Sequence, residues 1–347
     1  MRRVRIADIV RESGFSRATV DRVLNSRKGV HPRTRAVIEA ASRSLRHRQE
    51  TPPNGGIECD ILFRLGSGMT GQVKAAIESI GGGDVRFFNM YQQTEGAIAA
   101  RVRRLCEDTS RPLVLCVKDT ERSRILLTEA RKRGKKVVAL ISDLPEEARD
   151  SYVGIDNRAA GKTAAFLTGR TFGDRPTNVG VVLGDYAFRC HEDREIGFRT
   201  CLREYFPRLA LAAEVQGEDN PDRTYRAVLE MLEQHPAIAA IYNLSGGNEG
   251  LARALVETGR RDDMLVISHE VNSVTMPLMH SGTHDYLISQ DPHRLISEAF
   301  RVLRQSAVDH RTERVLLDYS IHTPFNIPSY ARQFGIGEWR RPSADTP

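Results

Sequence analysis

Between Ser13 and Gly29 the chain reads SGFSRATVDRVLNSRKG, and its polar side chains are of the kinds that bond to base edges and phosphates. Val20, Val23 and Leu24 recur at i, i+3 and i+4, so one side of this stretch is an apolar helical stripe. The other side carries Arg17, Ala18, Asp21, Arg22 and Asn25. Arg17 and Arg22 suit guanine edges or phosphates, and Ala18 is small enough to meet a thymine methyl. Thr19 and Asn25 suit phosphate oxygens, which fix orientation without reading sequence. Asp21 is repelled by a phosphate backbone, so it either pairs with a neighbouring arginine or accepts from a cytosine amine. Ser16 is placed to cap the helix and Gly14 to allow a tight turn before it. Flanking Arg27, Lys28, Arg33 and Arg35 add salt-dependent affinity.

Other patterns point to other chemistries. Gly66-Ser-Gly68-Met-Thr-Gly71 is a literal GxGxxG between a strand-like and a helix-like run, the context of a dinucleotide loop. Such a site needs an acid at the end of the next strand to hold the ribose. That strand ends in Asn89-Met90-Tyr91, and the nearest acid, Asp84, precedes it. A nucleotide-dependent oxidoreductase using Gly66–Gly71 is therefore the alternative reading. A glycine loop that lets a small neutral ligand approach backbone is the favoured one. His280 and His284 are four apart, but Ser-Gly-Thr between them is poor helix material, and no metal site is expected there. No Ser/His/Asp set, paired carboxylates or Walker loop supports another reaction. The reading is a non-enzyme with no catalytic residue, cofactor or metal. The five cysteines (59, 106, 116, 190 and 201) are scattered, as expected of free thiols in a reducing cytoplasm.

The elements that must position these residues fall into two regions. Residues 1–50 hold 13 Lys and Arg against 5 Asp and Glu, while the other 297 hold 38 against 40. A basic head on a near-neutral body places a polyanionic partner at one end. In the head, Ile6, Ile9 and Val10 form a stripe ending at Gly14, and Val20, Val23 and Leu24 form a second. After the loop NSRKGVHP, Val37, Ile38, Ala41 and Leu45 form a third. Two helices about a glycine turn, closed by a third, is the helix-turn-helix plan, whose second helix enters the major groove. Residues 47–57 read as a linker, since Pro52, Pro53, Gly55 and Gly56 oppose a helix. From residue 57 on, about nine short apolar runs alternate with amphipathic helical stretches. That pattern means parallel sheets covered on both faces, and two open sheets suit it better than one barrel.

VRIADIVRESGFSRATVDRVLNSRKGVHPRTRAVIEAA resembles, without gaps, the DNA-binding head of the LacI-type (LacI/GalR) repressors, including TV-x-RVLN and V-x-P-x-TR. The resemblance implies base reading by Arg17, Ala18 and Arg22 and phosphate contacts from Thr19 and Asn25. Asp21 departs from the serine most common at its position. The segment LRHRQETPPNGGIECD departs from the family's hinge helix, whose leucine wedges into the minor groove.

SYVGIDNRAAGKTAAFLTG, GDYAFRCHEDREIGFRTCL and LISQDPHRLISEAFRVL resemble the effector core that these repressors share with periplasmic sugar-binding proteins. The implied fold is an all-α, lambda-repressor-like helix-turn-helix head (1–46), a linker (47–57) and an α/β two-lobed periplasmic-binding-protein-like core (58–335), then a tail (336–347). Lobe 1 takes about 58–156 and 291–320, and lobe 2 about 157–290 and 321–335. The crossovers are expected near Asp156, near Gln290 and at 320–323, with ligand in the cleft between lobes. The resemblance puts Arg194, Glu270, Gln290 and either Asn243 or Asn248 on the ligand. Phe188 and Tyr186 are candidates to stack on a sugar face or to pack in the core. A carboxylate, an arginine and two amides suit a neutral polyhydroxylated ligand, because each hydroxyl both donates and accepts. The expectation is a cytoplasmic transcriptional repressor controlled by a small sugar or polyol. It would bind double-stranded pseudo-palindromic operator DNA as a homodimer, or as a tetramer, with no membrane partner.

Overall fold

A computed structural model describes residues 6–25, 27, 29–50, 57–81, 83–306 and 313–334. The chain divides into a head up to Gly56 and a body from Ile57, considered separately.

In the head, α1 (Ile6–Ser13), α2 (Arg17–Leu24) and α3 (Pro32–Glu50) enclose Ile9, Val20, Val23, Ile38 and Ala41. Gly14 takes φ +72°, a conformation that favours glycine, and its N–H bonds the Val10 carbonyl, closing α1. The Ser16 hydroxyl accepts the Thr19 N–H (3.3 Å) and starts α2. Val37 is 48% exposed, so the third stripe is narrower than its apolar residues suggest. The Leu45 side chain lies outside the described residues. The expected linker is shorter than 47–57: α3 continues to Glu50, and Ile57 is buried in the core of the body. His47, Arg48, Gln49 and Glu50 are tolerable helix residues, and Pro52 is the first breaker. Residues 51–56 and the tail lie outside the described residues.

The body begins with β1 (Cys59–Phe63), α4 (Ser67–Ile80), β2 (Val85–Asn89), α5 (Glu95–Glu107), β3 (Leu113–Cys116), α6 (Glu121–Lys132), β4 (Val137–Leu140) and β5 (Ser151–Ile155). The chain then crosses to the second lobe: α7 (Asn157–Phe172), β6 (Thr177–Leu183), α8 (Arg189–Tyr205), β7 (Leu209–Gln216), α9 (Pro221–Gln234), β8 (Ile238–Asn243), α10 (Asn248–Glu257), β9 (Leu265–His269), α11 (Thr275–His280) and β10 (Tyr286–Gln290). It returns for α12 (Pro292–Ser306) and β11 (Glu313–Leu317), and ends with β12 (Tyr319–His322) and a 3-10 turn, Ser329–Phe334. Two six-stranded sheets result, ordered β11-β5-β4-β3-β1-β2 and β12-β10-β9-β8-β6-β7. Every pairing is parallel except β10 with β12. The fully buried run CDILF of β1 is the pattern of a strand covered on both faces. All five cysteines are free and buried. Among the described residues no helix is long and apolar enough to cross a membrane.

An aspartate stands at each crossover. Asp156 caps α7, its Oδ1 accepting the Ala159 N–H (2.9 Å). Asp291 Oδ1 accepts the N–H groups of His293 and Arg294 at the start of α12. Asp318 receives Arg294 Nη1 (2.9 Å). The third crossover lies at Asp318 rather than 320–323, because β12 already pairs with β10 from Tyr319.

Helices α7 and α8 cross through glycine. A Cβ on Gly161 would overlap the Arg194 carbonyl oxygen, and one on Gly197 would overlap that of Arg158. The contact sets the depth of α8, hence the position of Arg194. Gly161→Ala or Gly197→Ala is expected to destabilise the body by about 1–3 kcal/mol or more, because backbone must move to relieve the overlap. Gly71→Ala, with nothing near its missing Cβ, is expected to be neutral or to stabilise by up to about 1 kcal/mol. Denaturant unfolding of the three variants checks the contrast, and equal losses would refute it.

Candidate functional site

Two surfaces carry unspent polar chemistry. The first is the outer face of α2, where Arg17, Ala18 and Arg22 are exposed. Neither arginine makes a hydrogen bond or ion pair among the described residues. Asp21 takes the neighbouring-arginine role, with Arg27 Nη1 at 3.5 Å. Its Oδ1 also accepts from Asn25 Nδ2 (2.9 Å), so Asn25 is held against its own helix. Ser16 and Thr19 hydroxyls are 2.9 Å apart at the amino end of α2.

The second surface is a cleft between the body's lobes, with about 640 Å³ of empty space that opens to solvent. It lies at the carboxyl ends of the strands, as expected for open α/β sheets. Lobe 1 contributes Leu65–Met69, Tyr91 and Ile141, and lobe 2 contributes the first turn of α8 and the loops after β7, β8 and β9. Ile141, Asp219 and Glu270 take φ of +65°, +55° and +65°. Such strain in residues with side chains marks places where backbone is bent to a purpose.

Arg194 is the centre of the cleft floor and is only 4% exposed. Its Nε donates to Asn157 Oδ1 (2.9 Å), its Nη1 to the Leu244 carbonyl (2.8 Å), and its Nη2 lies 3.8 Å from Glu270 Oε1. Glu270 also accepts from Gln290 Nε2 (3.0 Å), the Gln290 N–H and the Ser289 hydroxyl. Burial pushes the Glu270 carboxyl above its ordinary range, against the pull of Arg194 and these donors. His269, 3% exposed, is held well below its ordinary value by burial and then by Arg194, so it is a neutral ring. Its Nε2 meets Tyr242 Oη at 2.7 Å, and its Nδ1 has no partner among the described residues.

Three of the six expected ligand residues, Arg194, Asn248 and Glu270, line the cleft. The other three stand behind it. Asn243 is wholly buried and ties its loop together, donating to Asn248 Oδ1 (2.9 Å) and the Gly246 carbonyl. Gln290 holds Glu270 from below. Phe188 is wholly buried, with the Arg64 guanidinium 5.5 Å from its ring centre, because it ends the loop that starts α8. Tyr186 turns away to Glu214. Asn248 Oδ1 receives both Asn243 and His284 Nε2 (2.9 Å), leaving the Asn248 amide N–H groups for the cleft. Tyr91, His191, Asp219 and Asn272 also line it and escaped the sequence reading. Their common signal was position just after a strand or at a helix start, which many residues share.

Gly66–Gly71 does not form a nucleotide loop. Helix α4 begins at Ser67, inside the motif, and its first turn faces lobe 2. A Cβ on Gly68 would lie 2.5–2.6 Å from the Asn272 side chain, and one on Gly66 would meet Gly246 Cα at 3.9 Å. Gly66 and Gly68 form a seam where the lobes meet over the cleft. Lys118 Nζ to Asp185 Oδ2 (2.5 Å) and Tyr91 Oη to the Asp219 carbonyl (3.3 Å) also join lobe to lobe.

A two-lobed α/β binding protein with a ligand cleft, carrying a helix-turn-helix head, is the class that fold and sites define. Residues 89–309 match the model of the periplasmic binding protein domain, and residues 5–48 that of the bacterial regulatory proteins, lacI family. The chain belongs to the LacI-type regulators with a periplasmic-binding-protein effector domain, and is a DNA-binding transcriptional regulator. Similar solved structures include GanP, a glucose-galactose binding protein from Geobacillus stearothermophilus, at 17% identity and TM-score 0.68. The match covers 78% of this chain and 99% of that one. A solute binding protein from Burkholderia graminis C4D1M in complex with D-arabinose matches at 18% identity and TM-score 0.69, covering 80% and 99%. One from Agrobacterium radiobacter, also with D-arabinose, matches at 16% and 0.68, covering 80% and 98%. These likenesses are of fold. No curated protein sequence matches the chain.

Burial holds His284 neutral, with its pKa lowered to about 3. An unfolded His takes up a proton below its ordinary pKa of about 6.5 while the folded one does not. The folded body is therefore expected to lose stability as pH falls below about 6.5, by about 2 kcal/mol at pH 5 from this ring alone. His269 acts in the same direction, and Glu270, with its raised carboxyl, in the opposite one. His284→Gln keeps an N–H for Asn248 and removes the titration. Denaturant unfolding at about pH 5 and 7 should show a shallower pH dependence for the variant, and an unchanged slope would refute the assignment.

Proposed function

We propose that the protein is a transcriptional repressor that binds a pseudo-palindromic operator as a homodimer through α2 and is released by a small sugar or polyol in the cleft. The observation that carries this reading is a chain with two separate, chemically complementary surfaces. One is exposed and cationic, with Arg17 and Arg22 unpaired, on a helix of the right plan. The other is a cleft in which Arg194, Glu270 and the Asn248 amide offer donors and acceptors together. The sugars in similar folds support the ligand class. Ligand that favours the joined lobes over separated ones couples to DNA by its differential affinity for two states.

The test selects a duplex from a randomised pool with the full chain, then measures fluorescence anisotropy over a salt series. Arg17→Ala and Arg22→Ala should each cost about 1–3 kcal/mol of specific binding, the price of one bidentate base contact. Log affinity should fall linearly with log salt. A small sugar or polyol from a screening panel, neutral or aminated, should release the duplex. Arg194→Ala should keep DNA binding and lose release. Gly68→Val, which puts a side chain onto Asn272, should need at least about tenfold more sugar, equal to about 1.4 kcal/mol. Binding indifferent to salt and to both α2 arginines, or release unaffected by Arg194→Ala, would defeat the reading.

A further inference from the structure

The cleft's lining charges are unequal in number. Among the described residues lining it, Arg194 is the single Lys or Arg, against the carboxylates of Asp219, Glu249 and Glu270. Arg194 and Glu270 face one another on the floor, and Arg194 is further engaged by Asn157 and the Leu244 carbonyl. Asp219 and Glu249 have no ion-pair partner among the described residues. Asp219 is 8% exposed and spends one oxygen, Oδ1, on the Gly246 N–H (2.7 Å). Tyr91 comes from the opposite lobe, its hydroxyl on the Asp219 carbonyl (3.3 Å), and the charges of Glu249 and Asp219 both bear on its phenol. The first turns of α4, α8 and α10 also open on the cleft. Each supplies N–H donors and at most about half a positive charge. That offsets part of the carboxylate charge, as does the buried His191 on the same wall, whose pKa, against burial, is held above its ordinary value by Cys190 and Asp219. On the same lobe-2 wall the buried His269 Nδ1 waits without a partner.

Two carboxylates and an aromatic ring around one end of a semi-enclosed cleft are the surroundings that a protonated amine requires. Charge-assisted hydrogen bonds go to the carboxylates and the ring quadrupole takes the cation's remaining face. We propose that the ligand of this cleft is an aminated monosaccharide or polyol, its ammonium held between Asp219, Glu249 and Tyr91 and its hydroxyls by Arg194, Glu270 and Asn248. The inference rests on the cleft being the effector site proposed above. It narrows the ligand from sugars and polyols at large to aminated ones and excludes sugar acids and sugar phosphates.

Isothermal titration calorimetry of the full chain against matched sets tests it. The probes are D-glucose, D-galactose and D-mannose, their 2-amino analogues, the corresponding uronic acids, and polyols with their 1-amino derivatives. At least one aminated member should bind ten times more tightly than its neutral parent, and no uronic acid should bind. Asp219→Asn, which an αL backbone tolerates, and Glu249→Gln should each cut the amine-to-neutral ratio at least threefold. Because the ratio is the readout, a variant damaged in folding weakens both ligands and leaves the ratio alone. Glu249→Lys should reverse the order in favour of the uronic acid. Neutral sugars binding as well as or better than every amine would overturn the amine and leave the sugar-responsive reading standing. An unchanged ratio in both Asp219→Asn and Glu249→Gln would likewise overturn the assigned ammonium site alone. No binding by any member would overturn both.

Discussion

A guanidinium buried between two lobes must be given partners, and the body is arranged around meeting that demand for Arg194. An unpaired charge at such a depth costs several kcal/mol, so its neighbours cannot vary independently. Asn157, the first residue of α7 after a crossover, supplies a carbonyl oxygen, and the end of β8 supplies a backbone one. Glu270 supplies countercharge from the end of β9, and Gln290 at the end of β10 steadies that carboxylate. The close crossing of α7 and α8 through Gly161 and Gly197 fixes how near these groups come. The network belongs to lobe 2 and begins and ends beside two chain crossovers, at Asn157 and Gln290, and Asn157 Nδ2 also donates to the Ile141 carbonyl of lobe 1 (3.3 Å).

The same floor explains why some expected ligand residues lie one layer back. A polar side chain behind the cleft can be as necessary as one within it, because it holds the donor or acceptor that faces the ligand. Asn243 and His284 orient Asn248 in this way, and Gln290 orients Glu270. Gly66 and Gly68 have a different use again. They let the amino end of α4 come against Asn272 and Gly246 without a side chain between them. The motif's spacing is that of a dinucleotide loop, while its surroundings are those of a seam.

The head obeys a simpler logic. Among the described residues its buried core is five side chains, and helix ends contribute visibly: Gly14 turns the chain, Ser16 caps α2, and Asp21 gathers Asn25 and Arg27. What remains exposed and unpaired, Arg17 and Arg22, is what an electronegative groove can use.

The three helices of the head, their order and the polar face of α2 were legible in the residues alone. Periodicity, caps and glycine turns act within a few residues, and a short local core needs little else. So was the alternation of strands and helices, because a strand buried on both faces is largely apolar, as in VVAL and, apart from Asp60 paired with Arg86 and Arg111, in CDILF. Strands β5, β11 and β12 were not among the nine runs, and β11 and β12 are the hardest to separate. One residue, Asp318, separates them, and only their pairing with β5 and β10 assigns them to different sheets. The type of residue 188, 243 or 290 cannot reveal which side of a cleft wall it occupies, since that depends on helices and strands distant in the chain. Tertiary structure alone made that decision, through the packing of α7 on α8 and the cost of leaving Arg194 without its partners.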